Sequence, residues 1–209
     1  MSPFSGTRAP ACRRRFFCGA FGLCTAALVF GTGCTPRLNW RVVRHPEGLW
    51  TASFPAKPVS FSRTLSLPLR KGAAAIRLTL WAAVIDEQRF TLGIAQPMPE
   101  AARAEADARP TGPDPLLADL ARGLKQAMLR NIASESTPGE AMDTLPAERL
   151  SAIGSLRLVP DAPPVSARLE MRTWVRAPYV FEAKVVGPVE GFDLEAADQF
   201  LSSVVTLPA

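Results

Sequence analysis

Between Ala74 and Gln96 apolar side chains recur at every second residue, and a stretch with that period is built to lie in a β-sheet. Ile76, Leu78, Leu80, Ala82 and Val84 share one parity, and Phe90, Leu92 and Ile94 resume it after the polar Asp86-Glu87-Gln88. A loop of those three residues predicts a hairpin in which Val84 faces Phe90, Ala82 faces Leu92 and Leu80 faces Ile94. Trp81 then lies opposite Gly93 on the reverse face. A second alternating stretch, Ser166 to Val175, puts Ala167, Leu169, Met171 and Val175 on one side and Arg168, Glu170 and Arg172 on the other. With Arg176-Ala177-Pro178 as its loop, Leu169 meets Val185, Met171 meets Ala183, Arg172 meets Glu182 and Glu170 meets Lys184. A two-residue loop would set Arg172 against Ala183, so the charges argue for the longer one.

The rest of the chain supplies shorter strands and two helices. Asn39 to Val43, Leu49 to Phe54, Phe61 to Leu67 and Leu150 to Val159 read as strands, and His45-Pro46-Glu47-Gly48 as a turn. Met98 to Pro113 and Ser134 to Pro146 read as loops. Asp114 is a good N-cap, Pro115 suits the first helical position, and Leu117, Leu120, Leu124, Met128 and Asn131 or Ile132 follow helical spacing. Phe192 to Val205 predicts a closing helix with Leu194, Ala197, Leu201 and Val204 on one face, ended before Pro208. The order predicts an α+β fold, an antiparallel sheet with helices packed on it.

Upstream, Arg13-Arg14-Arg15 precedes Phe16 to Gly33, a stretch without one charge that closes on Gly31-Thr32-Gly33-Cys34. That order is a basic n-region, an apolar h-region and a small-residue cleavage site. The last four residues resemble the lipobox of bacterial lipoproteins, although Gly31 stands where Leu is usual. The resemblance implies cleavage between Gly33 and Cys34 and acylation of Cys34, with diacylglycerol on its sulfur and a fatty acid such as palmitate on its new amino group. Cys18 and Cys24 follow Phe17 and Leu23, where a small residue is needed. Arg13-Arg14-Arg15-Phe16-Phe17 also resembles the twin-arginine export motif, and the route stays open between that and general secretion. The expected organisation is a signal peptide over 1–33, a lipidated Cys34 with a tether to residue 38, and one domain over 39–209. Thr35 to Leu38 spans roughly 15 Å at most, so the domain sits close to its membrane. An uncleaved inner-membrane anchor is the weaker alternative, because Phe16 to Gly33 is at the short limit for a ~30 Å hydrocarbon core. Resemblance to lipoprotein sorting, with Thr35 rather than Asp after Cys34, implies the outer membrane more than the inner.

Charge and cysteine content exclude several functions. Of the 24 basic residues four precede Cys34 and no acid does, so the segment from Cys34 onward carries 20 basic against 19 acidic residues. The basic pI belongs mainly to the leader, and a nucleic-acid partner loses its compositional support. Cys12, Cys18 and Cys24 leave with the leader and Cys34 would be blocked by lipid, so no thiol remains for a disulfide, a metal or a nucleophile.

Gly48-Leu49-Trp50 through Phe54-Pro55-Ala56-Lys57-Pro58, the later long hairpin, and the terminal amphipathic segment with Phe200-Leu201-Ser202-Ser203 are similar to the PsbP-like and DcrB-like group of bacterial envelope lipoproteins. That resemblance implies a three-layer α/β/α sandwich acting as a binding or assembly module and not as an enzyme.

The residues themselves offer little chemistry. His45 is the one histidine, which excludes a pair of His ligands, and no G-x-S-x-G elbow surrounds Ser155 or another Ser. Asp86 and Glu87 lie in a turn, where solvation is the ordinary role of carboxylates. Arg168, Arg172 and Arg176 make a basic row that Glu170 and Glu182 neutralise. Trp40, Trp50, Trp81 and Trp174 are candidates for a pocket lining but fit core and hairpin packing. The expectation is a non-catalytic, lipid-anchored, periplasm-facing envelope protein with no cofactor, no metal and no nucleic acid, partnered with its membrane and another envelope protein. The alternative is a periplasmic small-ligand carrier or hydrolase with an unrecognised site.

Overall fold

The computed structural model describes residues 37–69, 72–98, 114–133, 148–157 and 162–207. In chain order these form β1 (Arg41–Arg44), β2 (Trp50–Phe54), β3 (Val59–Leu69), β4 (Gly72–Ile85), β5 (Gln88–Pro97), α1 (Pro115–Asn131), β6 (Glu148–Leu156), β7 (Val165–Arg176), β8 (Tyr179–Pro188), α2 (Leu194–Ser203) and β9 (Val205–Thr206). Among the described residues the strands make two antiparallel sheets, one of order β3-β4-β5-β8-β7-β6 and one of order β1-β2-β9. The fold is α+β, as the element order predicts. Cys34, Gly33 and the rest of the leader lie outside the described residues, as do all of the first long loop after Met98, the whole of the second, and Leu158 and Val159 of the predicted strand.

The two helices bury their apolar stripes against opposite faces of the six-stranded sheet. Helix α1 starts where Asp114 Oδ1 accepts from the Leu116 N–H at 2.9 Å and Pro115 occupies the first turn. Leu117, Leu120 and Leu124 pack with Leu67, Ala74, Ile76, Leu78 and Leu80 from β3 and β4. Leu129 and Ile132 continue onto Ala152, Leu169 and Met171. On the other face Trp50, Ala52 and Phe54 of the small sheet join Ala197, Phe200 and Leu201 of α2 over Phe90, Leu92, Phe181 and Val185. Phe200 joins the two sheets in this core, its ring centroid 5.0 Å from Phe54 and 5.7 Å from Phe90. Full burial of one such side chain stabilises by roughly 1.5–3 kcal/mol.

Both hairpins differ from their predicted register by one residue. The first turns on Asp86 and Glu87 alone, with Asp86 at φ 52°, and Ile85 pairs Gln88. Trp81 therefore faces Leu92, Leu80 faces Gly93 and Ala83 faces Phe90. Ile76, Leu78 and Leu80 point to α1 while Phe90, Leu92 and Ile94 point to α2. The apolar parities do not coincide, because the sheet is covered on both faces and an apolar run satisfies either one. The second hairpin turns on Ala177 and Pro178, joined by a cis peptide, so Arg176 pairs Tyr179, Arg172 faces Ala183 and Thr173 faces Glu182. Its charges pair along strands instead of across them: Arg168 with Glu170 at 2.9 Å, and Lys184 with Glu182. The closing helix is shorter than Phe192 to Val205. Asp193 caps it, Leu194 is half exposed, and Val205 leaves it for β9.

Candidate functional site

The described domain begins at a cleft. Arg37 Nε donates to Asp86 Oδ2 at 2.8 Å in the β4–β5 turn, and its Nη1 lies 3.6 Å from Asp193 Oδ2. Asp193 in turn accepts from the Ala196 N–H at 2.9 Å as N-cap of α2. Beneath them Gln88, buried among the strand ends, donates from Nε2 to the Asp193 carbonyl and accepts from the Asp193 N–H. Arg37, Ile85, Asp86, Gln88, Glu190 and Phe192 are among the residues that line a cleft of about 250 Å³ here. Its walls offer carboxylates, one guanidinium and one aromatic ring. A volume of about 250 Å³ also falls below the ~300–1,000 Å³ usual for a site that engulfs a small ligand.

His45 lies in the predicted turn, which closes through Gly48 at φ 72° with its N–H on the His45 carbonyl at 2.9 Å. The ring centroid is 5.2 Å from Trp81 and 5.8 Å from Trp50, and Nδ1 accepts from the Glu47 N–H at 3.2 Å. Burial lowers its pKa from 6.5, with Glu47 opposing more weakly. These contacts make the imidazole a packing and turn element. Trp50 and Trp81 meet edge to face at 5.0 Å, and Trp174 stacks on Phe181 at 5.4 Å with Arg172 over its ring. Trp50 and Trp174 are core residues, with Trp40 and Trp81 half-buried against them. Asp86 and Glu87 occupy the turn as expected, but Asp86 also holds Arg37.

The basic row is only partly neutralised as predicted. Glu170, almost fully buried, receives Ser151 Oγ at 2.7 Å and Arg168 Nε at 2.9 Å, with Arg149 Nε 3.7 Å away. Arg149 also binds Asp198 of α2. Glu182 takes no part in this, because the shifted register turns it to the opposite face, under α1. There it pairs with Lys184, whose Nζ also reaches Met128 Sδ at 3.1 Å. Glu182 Oε2 and Thr173 Oγ1 are buried with no hydrogen-bond partner among the described residues. Sequence reasoning missed both this pair and the Gln88–Asp193 link. The available signal was Glu182 and Lys184 sharing parity with Val180, whose side chain packs under α1. Among the described residues no group of three or more His, Cys, Asp or Glu side chains is arranged to hold a metal ion, and no helix is long and apolar enough to cross a membrane.

Compared with family models, curated proteins and solved structures, the chain finds no significant match.

Proposed function

We propose that this chain is a non-catalytic lipoprotein of the cell envelope, anchored through Cys34, facing the periplasm on the outer membrane, and binding or positioning another envelope component. The observation that carries the proposal is the attachment of Arg37. Only Thr35 and Pro36 separate it from Cys34, and it is already fastened to Asp86 and Asp193. Three Cα steps cover at most ~11 Å, so an acyl group on Cys34 holds this end of the domain against the bilayer. A tether that short suits a protein working on membrane-proximal partners. The finer fold reading, a three-layer α/β/α sandwich of the PsbP-like kind, belongs to the same proposal. Its support is that α1 covers one face of the large sheet while α2 and the small sheet cover the other.

Intact mass and membrane fractionation of the wild type and Cys34→Ala test the anchor. A wild-type chain that starts at Cys34 with acyl mass, and a mutant that loses both processing and lipid, are the expected results. An uncut or unacylated wild type would sink the lipoprotein proposal. Crosslinking in intact cells from positions around the Arg37 cleft then tests the binding role, which fails if no envelope protein is captured reproducibly.

A further inference from the structure

The outward face of the small sheet exposes apolar side chains beside a basic one. Trp50, Ala52 and Phe54 of β2 point inward, so Thr51 and Ser53 point out, and their partners across the ladders are Arg44 and Val205 for Thr51 and Val42 for Ser53. Val42 is 78% exposed, the highest value among the described large apolar side chains, and Val205 is 53% exposed. Arg44 shares this face, because it pairs with Thr51, whereas Arg41 pairs with the inward-pointing Phe54 and leaves the edge strand from the other side; both arginines are exposed. Between Cys34 and Glu47 the chain carries Arg37, Arg41 and Arg44 and no acid.

From these observations we infer that the β1-β2-β9 face is a lipid-docking surface, with Val42 and Val205 resting at the headgroup boundary, Arg44 paired with anionic phospholipids, and Arg41, exposed at the strand edge, adding to the positive field beside them. The inference rests on the proposed anchor, and two features select a bilayer as the occupant. Arg41 is seven residues from Cys34, so an acylated chain cannot keep β1 far from the membrane. The charge is also of one sign, the kind of juxtamembrane basic segment that anionic leaflets attract. A flat face with two small apolar side chains beside one arginine, and a second arginine at its edge, meets a planar anionic surface without needing a shaped pocket. Docked this way, the domain lies on its small sheet, and α1 with the far face of the large sheet is turned toward the periplasm.

The acylated protein, expressed with its own leader, is purified as Val42→Cys. Once the leader is removed and Cys34 is acylated, that thiol is unique and takes an environment-sensitive fluorophore. Arg130→Cys, exposed on α1 on the far side, is the control. Both are reconstituted in phosphatidylcholine vesicles with and without phosphatidylglycerol and quenched by spin-labelled lipid. The inference expects quenching at position 42 and not at 130, stronger with phosphatidylglycerol, weakened by salt and reduced in Arg41→Gln/Arg44→Gln. Equal quenching at the two positions, or indifference to phosphatidylglycerol, overturns it even when flotation and intact mass show a normal anchor. If intact mass instead shows no acyl group, the anchor proposal has failed separately. The same preparation is then tested by co-sedimentation with phosphatidylglycerol vesicles. Loss of about thirty-fold in partitioning in the double Gln variant, roughly five-fold per arginine, still supports the surface. Equal partitioning of variant and wild type overturns it.

Discussion

The side-chain amide of Gln88 and the main chain of Asp193 exchange two hydrogen bonds, Nε2 donating to the Asp193 carbonyl at 3.1 Å and the Asp193 N–H donating to Oε1 at 3.0 Å. An amide side chain thus does the work of a strand neighbour, fixing the start of α2 to the first residue of β5. Gln88→Ala removes both bonds and leaves the Asp193 N–H without its acceptor, while the Asp193 carbonyl keeps the Ala197 N–H of α2, for an expected loss of about 2 kcal/mol. Urea denaturation measures it. A change within error of zero would mean that water replaces the amide without cost.

Glu182 and Lys184 form the buried ion pair under α1, and their side chains are 3% and 14% exposed. Lys184→Met strands the carboxylate and is expected to destabilise by about 3–5 kcal/mol, whereas Glu182→Leu/Lys184→Met recovers much of that loss. Equal stability of the single and double variants would show that Glu182 does not depend on Lys184.

His45 makes stability depend on pH. Its folded pKa lies below the unfolded value near 6.5, because burial beside Trp50 and Trp81 disfavours the charged ring. The unfolded chain therefore binds more protons as the pH drops. The contribution of the neutral ring is intact above about 6.5 and is lost as the pH falls from there through the folded value. In His45→Phe this part of the acid sensitivity should vanish, as should a step in tryptophan fluorescence with a midpoint below 6.5. A midpoint above that value would contradict the assigned burial.

Arg37 fastens the tether through exposed ion pairs, its side chain 54% and that of Asp86 66% exposed. Pairs of this kind contribute only about 0.2–1 kcal/mol. Arg37→Ala should therefore barely move the urea midpoint. A loss well beyond that range would make the cleft a structural element of the core.

Phe200 should behave oppositely. Truncation to Ala removes the ring between Phe54 and Phe90 and is expected to cost about 3–5 kcal/mol. A melting temperature unchanged in the variant would show that α2 does not hold the two sheets together.

The candidate site was barely legible in the sequence. Asp86 was placed correctly in its turn, but nothing local in Arg37, Gln88 or Asp193 tells that they meet, since Gln88 and Asp193 are 105 positions apart. His45 was legible as a turn residue and not as a neighbour of Trp81. The predicted register puts Glu182 on the solvated face and the structure puts it under α1, since its alternation with Lys184 fits either a solvated ladder or a buried pair.

By itself the sequence determined where the elements lie. Alternation over Ile76 to Leu80 and Phe90 to Ile94 specified strands, and Asp114-Pro115 followed by Leu117, Leu120 and Leu124 specified α1, because backbone period, caps and breakers are local properties. Register was decided by the tertiary structure. A strand apolar on one face alone announces its parity, but β4 and β5 are covered by α1 on one side and by α2 with the small sheet on the other. Only that two-sided packing chose the tight turns at Asp86-Glu87 and Ala177-Pro178, turned Leu80 from Leu92, and drew Glu182 under α1 beside Lys184.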